Sequence, residues 1–246
     1  MIAKTYHRIG ILVFAAPYII SCGKNDYKTP LEFHLPIVST PSEIFQTNNQ
    51  EAIERRIINI ESNITQVYSV KGKPIQKTAL ANRMNGLKVP GVSIAVFSNG
   101  ELEWAKGYGW ADYNFEKPVD TETMFQAASI SKSPSTIAML KLVEHGELNL
   151  DVDVEDYLTS WQIPDNPFTA TNKVTLRRIV SHTAGLTIHG AYGYAHGEKL
   201  PSIIDYLNGN SMEWPTVVFQ EPGKSMSYSG GGFMIMQLMF EDHFKQ

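Results

Sequence analysis

An α+β chain is what the residue pattern predicts, with antiparallel sheet in the N-terminal half and mainly helical structure after residue 125. Three signals carry that expectation. Ile53, Ile57, Ile60, Ile64 and Val67 recur at 3.6-residue spacing, predicting a helix from Glu51 to about Val70. Val92, Ile94 and Val96 then alternate, Ser98-Asn99-Gly100 turns the chain, and Leu102 and Trp104 alternate again, which is a hairpin. Its Asn-Gly pair suits the positive φ angles of a tight turn. Finally, Ile137, Ala138, Met139, Leu140, Leu142 and Val143 are apolar on nearly every side, the pattern of a buried helix.

The chain opens on a segment that reads as an address. Lys4 and Arg8 precede an apolar stretch from Ile9 to Ile20, broken by Gly10 and Pro17, and Ser21-Cys22 follows directly. Charged region, apolar region and small-residue cleavage point make residues 1–21 a signal peptide; the apolar part is too short for a convincing membrane span. Ile19-Ile20-Ser21-Cys22 resembles the bacterial lipobox, which would make Cys22 the lipidated first residue of a mature lipoprotein in the cell envelope, facing the periplasm or cell surface. Cys22 is the sole cysteine, so no disulfide can form within the chain, and the compartment is read from the leader alone. Residues 22–50 follow as a tether: Pro30, Pro36 and Pro41 stand among Ser, Thr and Asn without sustained periodicity.

Composition bounds the rest. With 246 residues, 43% of them hydrophobic and 11% aromatic, the chain can bury a sizeable core. A net charge of -4 and the lack of any Lys/Arg run exclude a nucleic-acid partner and favour a small molecule or peptide. The globular region spans 51–246, its sheet part in 51–124 and its mainly helical part in 125–246.

Inside the helical part, Phe125-Gln-Ala-Ala-Ser-Ile-Ser-Lys132 contains an S-x-x-K pair. Residues three apart on a helix share a face, so the Lys132 amine can reach the Ser129 hydroxyl. Pro134 is tolerated only in a first helical turn, which places the helix start near 129–131, and Gly146 suits its C-terminal cap. Ser129 therefore stands at a helix mouth, where free N–H groups and the positive dipole end stabilise an oxyanion. Taken alone, the pair also fits a capping serine beside a solvated lysine.

Two segments downstream change the balance. Thr175-Leu-Arg-Arg-Ile-Val-Ser-His-Thr-Ala-Gly-Leu186 reads as a short capped helix ending at Gly185, and Glu221-Pro-Gly-Lys-Ser-Met-Ser-Tyr-Ser-Gly-Gly-Gly-Phe233 as a turn, an extended piece and a bend into the apolar helix Phe233 to Phe240. The order S-x-x-K, L-x-x-x-x-S-H-T-A-G-L, P-G-x-x-x-x-Y-S-G resembles the serine β-lactamase and penicillin-binding protein superfamily over about residues 50 to 246, most closely its class C β-lactamase-like branch of serine hydrolases. The resemblance implies an antiparallel sheet covered by helices in a sandwich, with a helical domain inserted between N- and C-terminal strands. It makes Ser129 the acylated nucleophile, Lys132 its base and Tyr228 a relay returning the proton to the leaving group. A Lys amine crowded into a desolvated pocket takes such a proton readily. No cofactor is implied.

His182 is expected to be scaffold, because Ser129 has a base three residues away and no G-x-S-x-G elbow surrounds it. No metal site is expected either: His182, His189 and His196 recur every seven residues, but Gly185, Gly190 and Gly193 prevent one helix from presenting them together. The pattern also departs from the family. Gly230 stands where the second motif, Y-x-N, carries the asparagine that contacts substrate and lysine. No K-T-G or H-x-G motif follows Tyr228; Lys77-Thr78 and His182-Thr183 lie upstream and lack its form. The chain is therefore expected to stop before its domain does, without the C-terminal strands, leaving a hairpin that is marginal alone and an apolar face on the Glu51 helix without its usual cover.

Three functions follow from the resemblance. The first is an envelope serine hydrolase acting through an acyl-enzyme on an ester, amide or D-amino-acid peptide. The second is a β-lactamase or D-Ala-D-Ala carboxypeptidase proper, acting on β-lactams or cell-wall peptide. The third is a non-catalytic binding lipoprotein or inactive fragment.

Overall fold

The computed structural model describes residues 9–15, 43–44, 50–112, 116–190, 193–194, 197–211 and 214–244. Cys22, Lys4, Arg8 and His196 lie outside them. The chain divides into two compact units, residues 1–127 and 128–246.

The first unit contains β1 (Ile9–Ala15), β2 (Glu43–Ile44), α1 (Gln50–Ser62), β3 (Ile64–Thr65), β4 (Lys77–Thr78), α2 (Leu80–Leu87), β5 (Gly91–Ser98), β6 (Glu101–Asp112) and β7 (Lys117–Pro118). Its sheet runs β1-β5-β6-β2, antiparallel throughout, with β7 pairing on β6. The expected hairpin is β5–β6. Ser98 pairs with Glu101, and the two residues between, Asn99 (φ 54°) and Gly100 (φ 87°), take the left-handed angles the turn requires. Val92, Ile94 and Val96 alternate onto one face and pack with Trp104, Tyr108, Ile53 and Ile57 of α1, and Leu80 and Met84 of α2.

Several expectations are corrected here. The first helix ends at Ser62 rather than near Val70, because the Asn63 side chain folds back onto Asn59 O (2.9 Å) and the β-branched Ile64-Thr65 pair with Lys77-Thr78 instead. Val67, the last member of the periodic set, is 79% exposed. The apolar face of α1 is covered after all, by the hairpin and by α2, an eight-residue helix whose short pattern gives little periodic signal. Apart from these corrections, two strands fall within the segments read as leader and tether: β1 lies within residues 1–21 and pairs along all of Ile9–Ala15 with β5, and β2 lies within 22–50 and pairs with β6. An apolar run satisfies a strand as readily as the middle of a signal peptide. The two readings differ in the fate of the segment, since a leader that is removed cannot hold the β5 edge.

The second unit begins with a 3-10 turn, Ala128–Ser131, that leads into α3 (Lys132–Glu144); α4 (Leu176–Val180), α5 (Ile203–Leu207) and α6 (Gly230–Phe244) follow. Its core gathers Met139, Leu176, Ile179, Leu186, Leu207, Ile235 and Met239, with α4 and α5 packed against α6. Pro134 falls in the first turn of α3, and Gly146 (φ 76°) sits just past its end with its N–H on Val143 O (3.0 Å). The expected all-round burial of α3 is not found: Met139 alone is buried, while Ile137 is 68% exposed. An apolar helix buries only the stripe that meets a neighbour, and here that stripe is Met139 flanked by half-buried Leu142 and Val143.

Two helix boundaries also move. α4 has its expected cap, the Thr175 hydroxyl accepting from Arg178 N–H (3.3 Å), but it ends at Val180, five residues short of Gly185. α6 starts at Gly230 rather than Phe233, so the glycines form its first turn. Their N–H groups are satisfied there: Gly230 and Gly231 donate to Ile188 O (2.8 and 3.1 Å), and Gly232 donates to the Ser229 hydroxyl (3.0 Å).

Candidate active site

All three residues predicted to carry chemistry lie in the second unit and meet there. Ser129 occupies the 3-10 turn, and Lys132 is the first residue of α3. One turn of chain brings the Lys132 Nζ to 3.2 Å from the Ser129 Oγ. Tyr228 arrives from the segment before α6, where its phenol interacts with the side chains of Lys132 and Ser129. Those interactions, Lys132 first, together with the charge on the amine, hold the phenol below the ordinary tyrosine range against the opposing effect of burial. The amine lies 5.1 Å from the Tyr228 ring centre and 5.4 Å from that of Phe233.

This is a triangle of two hydroxyls and one amine with a proton to share. Drawn with Lys132 as donor, the Lys132–Ser129 bond holds the ammonium; with the amine neutral, the serine O–H becomes the donor, which is the direction nucleophile activation requires. Lys132 is half-buried beside an exposed Ser129. Water is replaced on the inner side of the amine by the phenol and the Phe233 ring. The positive end of the α3 dipole stands next to the serine.

Sequence reasoning missed two features. Ala128, directly before the nucleophile candidate, has φ 45°, a conformation that costs a non-glycine residue about 1–3 kcal/mol and concentrates at functional sites. Nothing in an alanine advertises that. The second is how closely His182 is engaged with Tyr228. Its ring centre lies 4.2 Å from that of Tyr228, and its backbone takes the left-handed φ of 57°. Burial first, then the Lys132 charge and His189, keep its imidazole below the ordinary histidine range. Among the described residues, no group of three or more His, Cys, Asp or Glu side chains is arranged to hold a metal ion.

The S-H-T-A-G-L segment works as a bracket for the segment that carries the tyrosine. Ser227 N–H donates to His182 O (2.7 Å), Gly223 N–H to Thr183 O (2.7 Å) and Phe219 N–H to Gly185 O (2.9 Å). Gly185 has φ 71°, and a Cβ there would lie 2.3 Å from Gln220 O. Gly185→Ala is therefore expected to cost about 2–4 kcal/mol, the sum of left-handed strain and forced separation of the two segments. Urea unfolding monitored by circular dichroism checks this; a loss under 1 kcal/mol would show that the bracket is slack.

Comparison with known proteins points one way. The Beta-lactamase family model matches residues 77–246. "Serine beta-lactamase-like protein LACTB, mitochondrial" of Homo sapiens is 36% identical over 98 residues, 39% of this chain and 18% of that protein. "Protein flp" of Staphylococcus aureus (strain N315) is 25% identical over 162 residues, 64% of this chain and 31% of that protein. The chain thus spans less than a third of the length of either. Among solved structures, FmtA from Staphylococcus aureus superposes with a TM-score of 0.51 at 15% identity, over 83% of this chain and 48% of that one. At that identity the likeness concerns the fold, which is β-lactamase/transpeptidase-like.

Proposed function

Because the chain belongs to the beta-lactamase family, we propose that it is a serine hydrolase of the class C β-lactamase-like branch, working through an acyl-enzyme on Ser129. The observation that carries this is the shared proton site, a Lys132 amine 3.2 Å from the serine Oγ and 5.1 Å from the centre of the Tyr228 ring. As Oγ attacks a substrate carbonyl, its proton passes to the Lys132–Tyr228 pair. The oxyanion forms beside the positive end of α3. Collapse of the tetrahedral adduct breaks the bond to the leaving group, which takes the proton from the Tyr228 side. Water then attacks the ester carbonyl, gives its proton to the same pair, and releases the acid and the serine hydroxyl.

Substrates are an ester, an amide or a D-amino-acid peptide. Gly230 argues against standard β-lactam recognition: it offers no amide, and a Cβ there would meet His189 O at 3.2 Å. Adduct lifetime sorts the outcomes. With the full-length protein, a penicillin and an activated ester are followed in parallel by intact mass. Turnover of the ester with no lasting penicillin adduct is the result expected. A persistent penicillin adduct assigns a peptidase, a transient one with penicillin consumed a β-lactamase, and no acylation by either a binding protein.

For location, we propose that residues 1–21 are a cleaved leader and that Cys22 carries lipid on the envelope face, on the strength of Lys4, Arg8, the apolar stretch and Ile19-Ile20-Ser21-Cys22. Cys22→Ser would then move the protein from the membrane to the soluble fraction of the expressing bacterium. An uncleaved N-terminus in the mature protein would instead favour the β1 pairing.

A further inference from the structure

We propose that His182 is a positioning residue for Tyr228: its carbonyl and its unprotonated Nδ1 clamp the N–H groups on either side of the tyrosine and so fix where the phenol meets Lys132 and Ser129. The proposal rests on the reading of Tyr228 as proton carrier. Ser227 N–H donates to His182 O (2.7 Å) and Ser229 N–H to His182 Nδ1 (3.2 Å). The two N–H groups flank Tyr228, and a single residue can take both only if its carbonyl and its ring face the same way. The left-handed φ of 57° at His182 is the conformation in which this is achieved.

The imidazole then lies against the ring it positions, 4.2 Å between centres and tilted by 33°. Ser229 is itself fixed, its hydroxyl donating to Thr187 O (2.7 Å) and accepting from Gly232 N–H (3.0 Å). Tyr228 is thus held at the residue before it, the residue after it and one face of its ring. A histidine filling space needs none of these contacts in particular.

Chemistry follows from the acceptor role. Nδ1 can accept from a backbone N–H only without a proton, so the neutral ring carries its hydrogen on Nε2. The groups facing the ring are the Lys132 amine from α3, the Tyr228 phenol, and His189 from the segment after Leu186; Phe233 of α6 lies 5.6 Å away. Burial and the Lys132 charge both favour the neutral ring, consistent with a clamp intact at neutral pH. Protonation in acid would point one N–H at another and release Ser229. Positioning should therefore be present above the ordinary histidine range and lost as pH falls through the depressed value of His182.

Two amide substitutions test the clamp in the full-length protein. His182→Asn puts an acceptor oxygen at the Nδ1 place, tolerates a left-handed φ and does not titrate. His182→Gln carries the same amide one carbon too far. The Tyr228 phenol is titrated by ultraviolet absorbance in each background, subtracting the matching Tyr228→Phe protein. The depressed titration should survive His182→Asn and return toward the ordinary phenol value in His182→Gln. Turnover of an activated ester should fall on the order of 10- to 100-fold in kcat for His182→Gln, with KM changed less, as expected for misplacement by about 1 Å. In His182→Asn it should stay near wild type, with the His182 ionisation gone from the acid limb.

A wild-type Tyr228 titration in His182→Gln overturns the proposal, as does an equal shift in both variants. If the glutamine protein does not fold, nitrogen NMR of the wild-type imidazole decides: hydrogen on Nε2 supports the clamp, hydrogen on Nδ1 removes it. The acyl-enzyme reading is judged separately, by whether Ser129→Ala stops acylation.

Discussion

Ser129→Ala is expected to lower acylation by an activated ester by on the order of 10^5-fold or more, the loss typical of removing a nucleophile that acts as part of a unit. Nothing in the fold should change with it. The side chain is exposed, so the substitution should move stability by no more than about 0.5 kcal/mol, which a thermal melt checks. Stopped assays on the purified variant should show no burst and no ester adduct. Survival of the reaction would place the chemistry on another residue. Ser131 and Ser133 flank Lys132 in the chain, but the amine turns to Ser129.

Tyr228→Phe is the second large effect, a fall of about 10^2- to 10^4-fold in kcat/KM, the range for loss of a positioned acid or base. The variant keeps the ring that stacks on His182 and His189 and loses only the phenol oxygen. A specific change in pH dependence accompanies it. The Tyr228 phenol ionises below the ordinary tyrosine range because Lys132 and Ser129 interact with it and Lys132 is positively charged. The wild-type rate should therefore rise with pH toward that depressed value, as the pair becomes able to accept the serine proton. In Tyr228→Phe that rise should move, since Lys132 is left to act alone. An unchanged rate and an unchanged profile would make Tyr228 a core aromatic and leave Lys132 as sole base.

How much of this was legible in the chain depends on how local the cause is. Ser129 and Lys132 could be paired from spacing because one turn of helix sets their separation, and Pro134 with Gly146 framed α3 for equally local reasons. The Asn99-Gly100 turn was readable because its backbone angles demand those residue types. Tyr228 was different. Only the order of motifs singled it out, since its approach to Lys132 is made by the His182–Gly185 bracket and by Ser229 at the mouth of α6, contacts between segments far apart in the chain.

The misses have the same physics. Periodicity carried the first helix past Asn63, because an isoleucine at the helical position says nothing about whether a neighbouring strand competes for it. All-round apolarity of α3 says nothing about how many neighbours it has, and Ile137 is left outward. The strained φ of Ala128 leaves no trace in composition. The β1 pairing could not be read because Ile9–Ala15 serves a leader and a strand equally well.

One measurement bears most directly on the acyl-enzyme. The full-length protein is mixed with an activated ester, quenched in acid within the first turnover, digested and mapped by tandem mass spectrometry. The acyl group should be found on Ser129, in the peptide that contains Lys132 or ends at it. An adduct on another residue, or rapid ester turnover with Ser129 unmodified at every quench time, would contradict the account.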